Sequence, residues 1–318
     1  MSDCHASNVA DAGIEDRAIG ALVGLAVGDA LGTTLEFSRR DAHSPVIDIV
    51  GGGPFRLKPG EWTDDTSMAL CLADSLLANS GLEERDLLDR FVRWWRQGEN
   101  SVNGRCFDIG GTTSQALSHY VRHGQPIGVG PDDRYLAGNG SLMRLAPVAI
   151  FAAPDMGAAT RLAERQSLTT HANRVAAEAC GLFAAMLVEA MVGHGKHEVL
   201  RTRSAAHADL EEVAAGTWRH KPREAISSSG YVVHTLEAAL WCVARTSNFA
   251  DALVLAVNLG DDSDTVGAVT GQLAGALYGQ SGIPARWLDV LAWREEIEQR
   301  AISLLCAGAS VRRSEGRN

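Results

Sequence analysis

The stretch GALVGLAVGDALG, residues 20–32, places a glycine at every fourth position, and residues 267–279 repeat that spacing. Each glycine inside a helix costs about 1 kcal/mol relative to alanine, so two such helices need a compensating contact. Because a spacing of four keeps the glycines near one helix face, the two helices can cross very closely there. The pattern predicts two tightly packed central helices.

Most of the remaining chain has the pattern of amphipathic or buried helices, with apolar residues recurring at three and four positions. The predicted helices are 70–77, 87–95, 174–191, 235–243, 251–257, 266–278 and 287–305. One strand is predicted at 46–50, before the glycine-rich turn at 51–54. No proline- or serine-rich linker divides the chain. We therefore predict an all-α fold, with one compact multi-helix domain at 15–307 and flexible tails at 1–14 and 308–318.

Composition and charge disfavour several classes of function. The net charge of −10 argues against a large nucleic-acid interface, which needs clustered Lys and Arg. Six cysteines are scattered singly, which disfavours a zinc site or a disulfide framework and fits a reducing compartment. The polar N-terminus lacks a signal-peptide core, and no run reaches the roughly 18 apolar residues that a membrane span needs. We expect a cytoplasmic protein without stable membrane insertion and without a nucleic-acid partner.

Two short acidic runs, Thr63-Asp64-Asp65 and DDSDT at 261–265, lie about two hundred residues apart, and each precedes a helix-like stretch. A helix cap explains one Thr, Asp or Ser at such a place, but it does not explain the acidic pairs. Two carboxylates about 4 Å apart repel by roughly 4 kcal/mol at an effective dielectric near 20. Clusters that contain only oxygen ligands suit hard divalent cations. The two runs therefore predict a site for one or two Mg²⁺ or Mn²⁺ ions.

Five motifs along the chain resemble, in order, those of the ADP-ribosylglycohydrolase family. They are 24–32 with Glu36, Thr63-Asp64-Asp65-Thr66, GNGSLMR at 138–144, Thr169-Thr170-His171, and Asp262-Ser263-Asp264-Thr265. Each motif alone is weak, but together they span residues 20–279 and are highly specific. Within that family, segments 106–110, 230–236 and 258–262 most resemble the dinitrogenase reductase-activating glycohydrolases. Gly111 departs from that branch, in which we expect Asn.

The resemblance implies a central metal cleft and a role for each matching residue. Two divalent cations, Mg²⁺ or Mn²⁺, would be bound by Thr63, Asp64, Asp65, Asp262, Asp264 and Thr265. Asp108 would transfer the proton near the scissile ribose, and Glu36 would lie beside the metals as a ligand or an acid–base group. The ADP-ribose would contact Gly138, Asn139, Gly140, Ser141, His171 and Tyr231.

Each of these residues also has a structural explanation. His171 would then be a hydrogen-bonded core histidine, and Asp108 would cap the next helix. Glu36 would be a solvated acid at a helix end, residues 138–140 a bare turn, and Tyr231 ordinary packing.

The activity that the resemblance implies is metal-dependent hydrolysis of the bond between mono-ADP-ribose and a protein side chain, arginine above all. Such an enzyme reverses an ADP-ribosyltransferase, and its partner would be a modified protein such as nitrogenase reductase or a toxin target. Two alternatives stay open: a non-catalytic ADP-ribose-binding module of the same fold, and a metal-dependent nucleotide phosphohydrolase. The intact acidic motifs favour the enzyme over the passive module, because a retired site usually loses its ligands.

Overall fold

The computed structural model describes residues 9–129 and 136–315, and within these ranges every regular element is helical. The predicted all-α class is therefore confirmed. Short 3-10 turns in the described ranges lie at Thr33–Leu35, Thr217–His220, Arg223–Ala225 and Gln280–Gly282. The α-helices of the described residues, in chain order, are α1 Val9–Gly32, α2 Asp64–Asn79, α3 Glu84–Gln97, α4 Gly111–His123, α5 Gly140–Met143, α6 Ala146–Ala152, α7 Met156–Leu168, α8 Arg174–Met191, α9 Lys196–Val199, α10 Ala208–Ala215, α11 Val232–Arg245, α12 Phe249–Val257, α13 Ser263–Tyr278, α14 Ala285–Leu288 and α15 Arg294–Glu315.

The two glycine series form a seam between α1 and α13 at the centre of the molecule. A Cβ atom added to Gly24 would lie 2.3 Å from the carbonyl oxygen of Gly271. One added to Gly28 would lie 2.1 Å from the carbonyl oxygen of Gly267. At these distances only hydrogen fits between the two backbones, so the close helix crossing predicted from the spacing is confirmed.

The first glycine series lies in the only described segment that is long and apolar enough to cross a membrane. That segment, Ala12–Leu35, has a mean hydropathy of 1.6, and 94% of its most apolar window is buried inside the protein. Helices α2, α8, α13 and α15 all pack against α1. The apolar character of α1 is therefore accounted for by its place in the core.

Most of the other predicted helices are also present. Segments 70–77, 87–95, 235–243 and 251–257 lie within α2, α3, α11 and α12, and 174–191 coincides with α8. The segment 266–278 lies within α13. Both acidic runs come at helix N-termini, since α2 begins at Asp64 and α13 begins at Ser263.

The prediction of one helix at 287–305 is wrong. Helix α14 ends at Leu288 and α15 starts at Arg294, with Trp293 between them in the left-handed region at φ 56°. The break is fixed by backbone contacts to a distant loop, because the amide of Ala292 donates to the carbonyl of Gly60 at 3.0 Å. The indole of Trp62 donates to the carbonyl of Ala292. Apolar periodicity carries no information about such a tertiary contact.

The predicted strand at 46–50 is also wrong, since this segment is irregular. Its backbone bonds to a side chain instead of a neighbouring strand. The amide group of Asn258 accepts from the N–H of Val46 at 2.9 Å and donates to its carbonyl at 2.8 Å. One side-chain amide thus satisfies both polar groups of Val46, and no sheet is needed there.

The terminal helices extend past the predicted domain limits of 15 and 307. Helix α1 begins at Val9, and α15 continues to Glu315. Near its end, the guanidinium of Arg312 donates to the carbonyl of Phe151 at 3.0 Å. The flexibility of the tails at 1–14 and 308–318 stays a prediction, and residues 1–8 and 316–318 of those tails lie outside the described residues.

Candidate functional site

The N-terminus of α2 is anchored by a carboxylate from α1. One oxygen of Asp29 accepts from the N–H and the hydroxyl of Thr63, both at 2.9 Å. The other oxygen accepts from the N–H of Thr66 at 3.1 Å and from its hydroxyl at 2.6 Å. A helix N-terminus has unpaired N–H groups and favours negative charge, so Asp29 fixes the position of the Thr63–Thr66 run.

The N-terminus of α13 is anchored in the same way by Glu36, which follows the 3-10 turn after α1. Its carboxylate accepts from the N–H of Ser263 at 2.8 Å and from the N–H of Asp264 at 3.4 Å. The hydroxyl of Ser263 donates back to the carbonyl of Gly32 at 2.7 Å. The two acidic runs, distant in sequence, are therefore held against the same end of α1.

The carboxylates of the two runs meet around the hydroxyl of Thr63, which is fully buried. This hydroxyl lies 2.9 Å from Asp29, 3.1 Å from Asp65 and 3.2 Å from Asp264. It carries one proton, so it can donate to only one of the three acceptors. The second oxygen of Asp65 is buried without a hydrogen-bond partner among the described residues. The centre thus contains more acceptor oxygens than donors.

Two groups of acids bring their oxygens within 4.8 Å of one another: Asp29 with Asp65 and Asp264, and Glu36 with Asp262 and Asp264. Burial and mutual repulsion raise the pKa of Asp29 and of Asp262 to about 7. The same causes raise the pKa values of Asp64, Asp65 and Glu36 well above the usual range for carboxyls. Orphaned, mutually repelling oxygens are what a hard divalent cation satisfies, so the donor set fits Mg²⁺ or Mn²⁺.

Asp29 belongs to the acidic centre although the sequence motifs gave it no role. Because N–H and hydroxyl groups of Thr63 and Thr66 already surround its two oxygens, it is suited to anchor α2 and less suited to hold an ion directly. In the sequence it stands alone inside an apolar helix, where it resembles a helix interruption. Its spacing from the acidic runs does not indicate a role in the site, because Asp29 meets Thr63 only in the folded chain.

The centre opens into a cleft of about 660 Å³. Ten of the predicted site residues line this cleft, on six separate loops and helix ends. They are Glu36, Asp64, Asp108, Gly138, Asn139, Gly140, His171, Asp262, Asp264 and Thr265. Thr63 and Asp65 lie beneath them, fully buried, in contact with the cleft-lining carboxylates.

Asp108 lies at one side of the cleft in a conformation that is uncommon for a residue with a side chain. Its φ is 59°, in the left-handed region, where Asp and Asn are the better tolerated non-glycine residues. Burial, followed by the charges of Asp64 and Asp264, raises the pKa of Asp108 to about 11. Its carboxyl group therefore holds a proton near neutral pH and can donate it.

The glycine loop at 138–140 lies on another side of the cleft and pairs with the segment at 230–232. The N–H of Asn139 donates to the carbonyl of Gly230 at 3.0 Å, and Val232 donates to Ala137 at 3.0 Å. The amide of Asn139 also donates to Asp262 at 2.8 Å, which connects the loop to the acidic centre. The loop is therefore fixed relative to the carboxylates.

His171 packs against this loop. A Cβ atom on Gly140 would lie 2.9 Å from the imidazole carbon Cε1, so glycine is needed for the ring to come this close. Burial, with a smaller contribution from Arg144, lowers the pKa of His171 to about 3, and the ring is neutral at physiological pH.

Two residues predicted to contact the ligand, Ser141 and Tyr231, direct their hydroxyl groups to partners outside the cleft. The hydroxyl of Ser141 lies 2.8 Å from the hydroxyl of Ser167 beneath the loop. The phenol of Tyr231 donates to Asp209 at 2.6 Å. Neither residue lines the cleft. The structure places both next to the site but brings neither side chain into it, so a direct contact with the ligand stays a prediction for both.

Comparisons with known proteins show the family to which the chain belongs. A family model described as ADP-ribosylglycohydrolase matches residues 10–314. The chain belongs to the ADP-ribosylglycohydrolase family. A solved structure described as an ADP-ribosylglycohydrolase-related protein complex is 44% identical, with a TM-score of 0.82. The match covers 93% of this chain and 99% of that one, so the family fold extends over nearly the whole molecule.

Several curated ADP-ribosylglycohydrolase relatives span most of the chain. The ADP-ribosylarginine hydrolase Tri1 of Pseudomonas putida (strain GB-1) is 52% identical, over 91% of this chain and 78% of the relative. That of Serratia proteamaculans (strain 568) is 48% identical, over 91% and 79%. The ADP-ribosyl-[dinitrogen reductase] glycohydrolase of Rhodospirillum rubrum is 33% identical, over 94% and 98%. The expected likeness to the dinitrogenase reductase branch is present, but the two arginine hydrolases share more of the sequence.

Proposed function

We propose that this ADP-ribosylglycohydrolase is a metal-dependent enzyme that removes mono-ADP-ribose from modified arginine side chains of proteins. The observation that carries the proposal is the meeting of the two acidic runs with Asp108 in one cleft. The names of the Pseudomonas and Serratia relatives support arginine as the modified residue. The name of the Rhodospirillum relative supports a modified protein as the substrate.

In the proposed site, two Mg²⁺ or Mn²⁺ ions would be held by Thr63, Asp64, Asp65, Asp262, Asp264 and Thr265. When bound, the ions supply positive charge that polarises the ribose hydroxyl groups. They also offset the repulsion among the buried carboxylates. Asp29 and Glu36 hold the two acidic runs in position by accepting hydrogen bonds at the N-termini of α2 and α13. Glu36 also lines the cleft, so it is placed to act beside the ribose as well.

Asp108 supplies the proton in this proposal. As the bond between the ribose carbon and the guanidine nitrogen breaks, a water oxygen bonds to that carbon, and the nitrogen is a poor leaving group unless it is protonated. A positioned carboxylic acid typically contributes 10²–10⁴-fold to such a step. Burial of Asp108 raises its pKa, which favours the protonated form that this step needs.

The remaining residues bind and orient the ADP-ribose. Glycines at 138 and 140 leave the backbone uncovered, so the anionic pyrophosphate can approach it closely. Gly110 and Gly111 also line the cleft without side chains, and a Cβ at either position would meet no atom within 4 Å. The open space around Gly111 leaves room for a Cβ atom, so the departure at this position changes the side chains available to the ligand.

A direct assay separates this proposal from its alternatives. The protein is incubated with an ADP-ribosylarginine-bearing protein and, separately, with free ADP-ribose, each with Mg²⁺, with Mn²⁺ or with a chelator. Release of ADP-ribose from the first substrate, lost with chelator and restored by metal, is the expected result. Release of AMP or phosphate would support the nucleotide phosphohydrolase, and binding of ADP-ribose without turnover would support the passive module.

A further inference from the structure

Arg144 is a buried cation that the proposed reaction does not use. Its side chain is completely buried, and no carboxylate in the described part of the chain lies within 4.0 Å of it. The guanidinium stacks over the ring of Phe91 at 4.4 Å and donates through Nε to Gln166 at 2.9 Å. A further N–H donates to the hydroxyl of Thr170 at 2.9 Å. Burying a charge without an opposite charge nearby costs free energy, so a function for this guanidinium and its hydrogen bonds is to be sought.

The bond to Thr170 favours one direction for the next hydrogen bond. A guanidinium can only donate, so the Thr170 oxygen is the acceptor of that bond. The proton of the hydroxyl is then free to be donated, and Nδ1 of His171 lies 2.9 Å away. A neutral imidazole has one acceptor nitrogen and one N–H. If Nδ1 accepts from Thr170, the ring proton is on Nε2.

The nitrogen Nε2 lies at the surface of the cleft. A Cβ atom built on Gly138 would be 3.3 Å from Nε2, and one built on Gly140 would be 3.1 Å from it. His171 lines the cleft together with these two glycines. Because glycine has no side chain, a ligand at this loop can reach the imidazole edge.

We infer that Arg144 and Thr170 are positioning residues that hold His171 as its Nε2–H tautomer, so that this N–H donates to the pyrophosphate of the bound ADP-ribose. The identity of the ligand rests on the proposed function, whereas the tautomer does not. The low pKa of His171 agrees with a neutral ring that donates from one nitrogen only. Arg144 thus acts on the cleft through two hydrogen bonds without touching it.

The test compares Thr170→Val, which removes the hydroxyl but keeps the shape, with the matched control Thr170→Ser, which keeps the hydroxyl. The full-length protein is labelled with ¹⁵N-histidine, and long-range ¹H–¹⁵N spectra are recorded at pH 7 with Mg²⁺ and no ligand. A His171→Gln sample assigns the signal among the ten histidines. Thermal unfolding shows that each variant is folded. Calorimetry then measures the affinity of each variant for ADP-ribose.

We expect the Nε2–H tautomer in the wild-type protein and in Thr170→Ser. In Thr170→Val we expect a change of tautomer or a mixture, together with about tenfold weaker binding of ADP-ribose. On the modified-protein substrate, KM should rise while kcat changes little, because the pyrophosphate contact is made equally in ground and transition states. A proton on Nδ1 in the wild type overturns the inference. An unchanged tautomer or an unchanged affinity in Thr170→Val also overturns it.

These outcomes are distinguishable from failure of the proposed function. The tautomer is read in the free protein, before any substrate is added. A wild-type protein that shows the Nε2–H tautomer and binds ADP-ribose but does not release it from arginine would refute the activity and leave the positioning network standing.

Discussion

Gly24 and Gly271 face each other across the α1–α13 crossing, and a methyl group on Gly24 would lie 2.3 Å from the Gly271 carbonyl oxygen. The atom in the way belongs to the backbone of a buried helix, which cannot turn aside as a side chain can. This contact fixes the distance between the two central helices. It also explains why two helices accept so many poor helix formers.

Gly24→Ala should therefore destabilise the protein by more than about 3 kcal/mol, because the helices must separate along the seam. Gly195→Ala is the matched control, since a Cβ there would meet no atom within 4 Å. Its effect should stay within about 0.5 kcal/mol, as for other surface changes. Urea unfolding of both variants measures the difference, and equal stabilities would refute the role of the seam.

Asp65→Asn should have opposite effects with and without metal. In the metal-free protein it should raise the free energy of unfolding by about 1–3 kcal/mol, because the Asn amide gives the crowded carboxylates a donor. In the wild type, saturating Mg²⁺ or Mn²⁺ at a hundred times its Kd should add about 2.7 kcal/mol. That gain should disappear in Asp65→Asn.

Thermal unfolding with and without metal checks this prediction. Asp289→Asn provides the control, because the Asp289 side chain is 73% exposed and belongs to neither acidic run. It should respond to metal as the wild type does. A metal response that survives in Asp65→Asn would contradict the assignment of Asp65 as a ligand.

Asp108→Asn should slow release of ADP-ribose by about 10²–10⁴-fold while binding of ADP-ribose is retained. Asn tolerates the left-handed backbone that this position requires, so the loop should keep its conformation. Asp41→Asn is matched in backbone and charge, since Asp41 has φ 59° but pairs with Arg223 outside the cleft. Single-turnover rates for the two variants give the comparison, and a wild-type rate in Asp108→Asn would exclude the proton-transfer role.

The stability of the protein should depend on His171 between about pH 6.5 and pH 3. The pKa of this ring is about 3 in the folded protein, below its ordinary value of 6.5. The unfolded chain therefore takes up the proton first as the pH falls, and folding loses up to about 1.4 kcal/mol per pH unit from this group. The contribution is fully present above pH 6.5.

Unfolding curves of the wild type and His171→Gln between pH 7 and pH 5 check this expectation. The stability difference between them should shift in favour of the variant as the pH is lowered. The same substitution at the exposed His43 is the control. Parallel curves for the wild type and His171→Gln would show that the ring is not held neutral.

Sequence patterns predicted the parts of the structure that depend on regular spacing. The glycine series predicted the seam, and the order of the acidic motifs predicted that Asp64, Asp262 and Asp264 would line one cleft. The irregular segment at 46–50 and the helix break at 289–293 could not be predicted from spacing. Both depend on one hydrogen bond or a few between residues far apart in sequence.

The same reason explains which site residues sequence reasoning missed. Asp29 and Arg144 act through tertiary hydrogen bonds, to Thr63 in one case and to Thr170 in the other. The direction of a side chain likewise depends on its neighbours in the fold. Ser141 lies in a matching motif, yet its hydroxyl turns down toward Ser167.

The anchoring of both acidic runs to the same end of α1 has a consequence for the whole molecule. Through Asp29 and Glu36, helix α1 sets the spacing of the proposed ion ligands from inside the core. The affinity for the proposed ions should therefore depend on how closely α1 and α13 pack. Any substitution that widens the seam between α1 and α13, even one buried far from solvent, should weaken the binding of these ions.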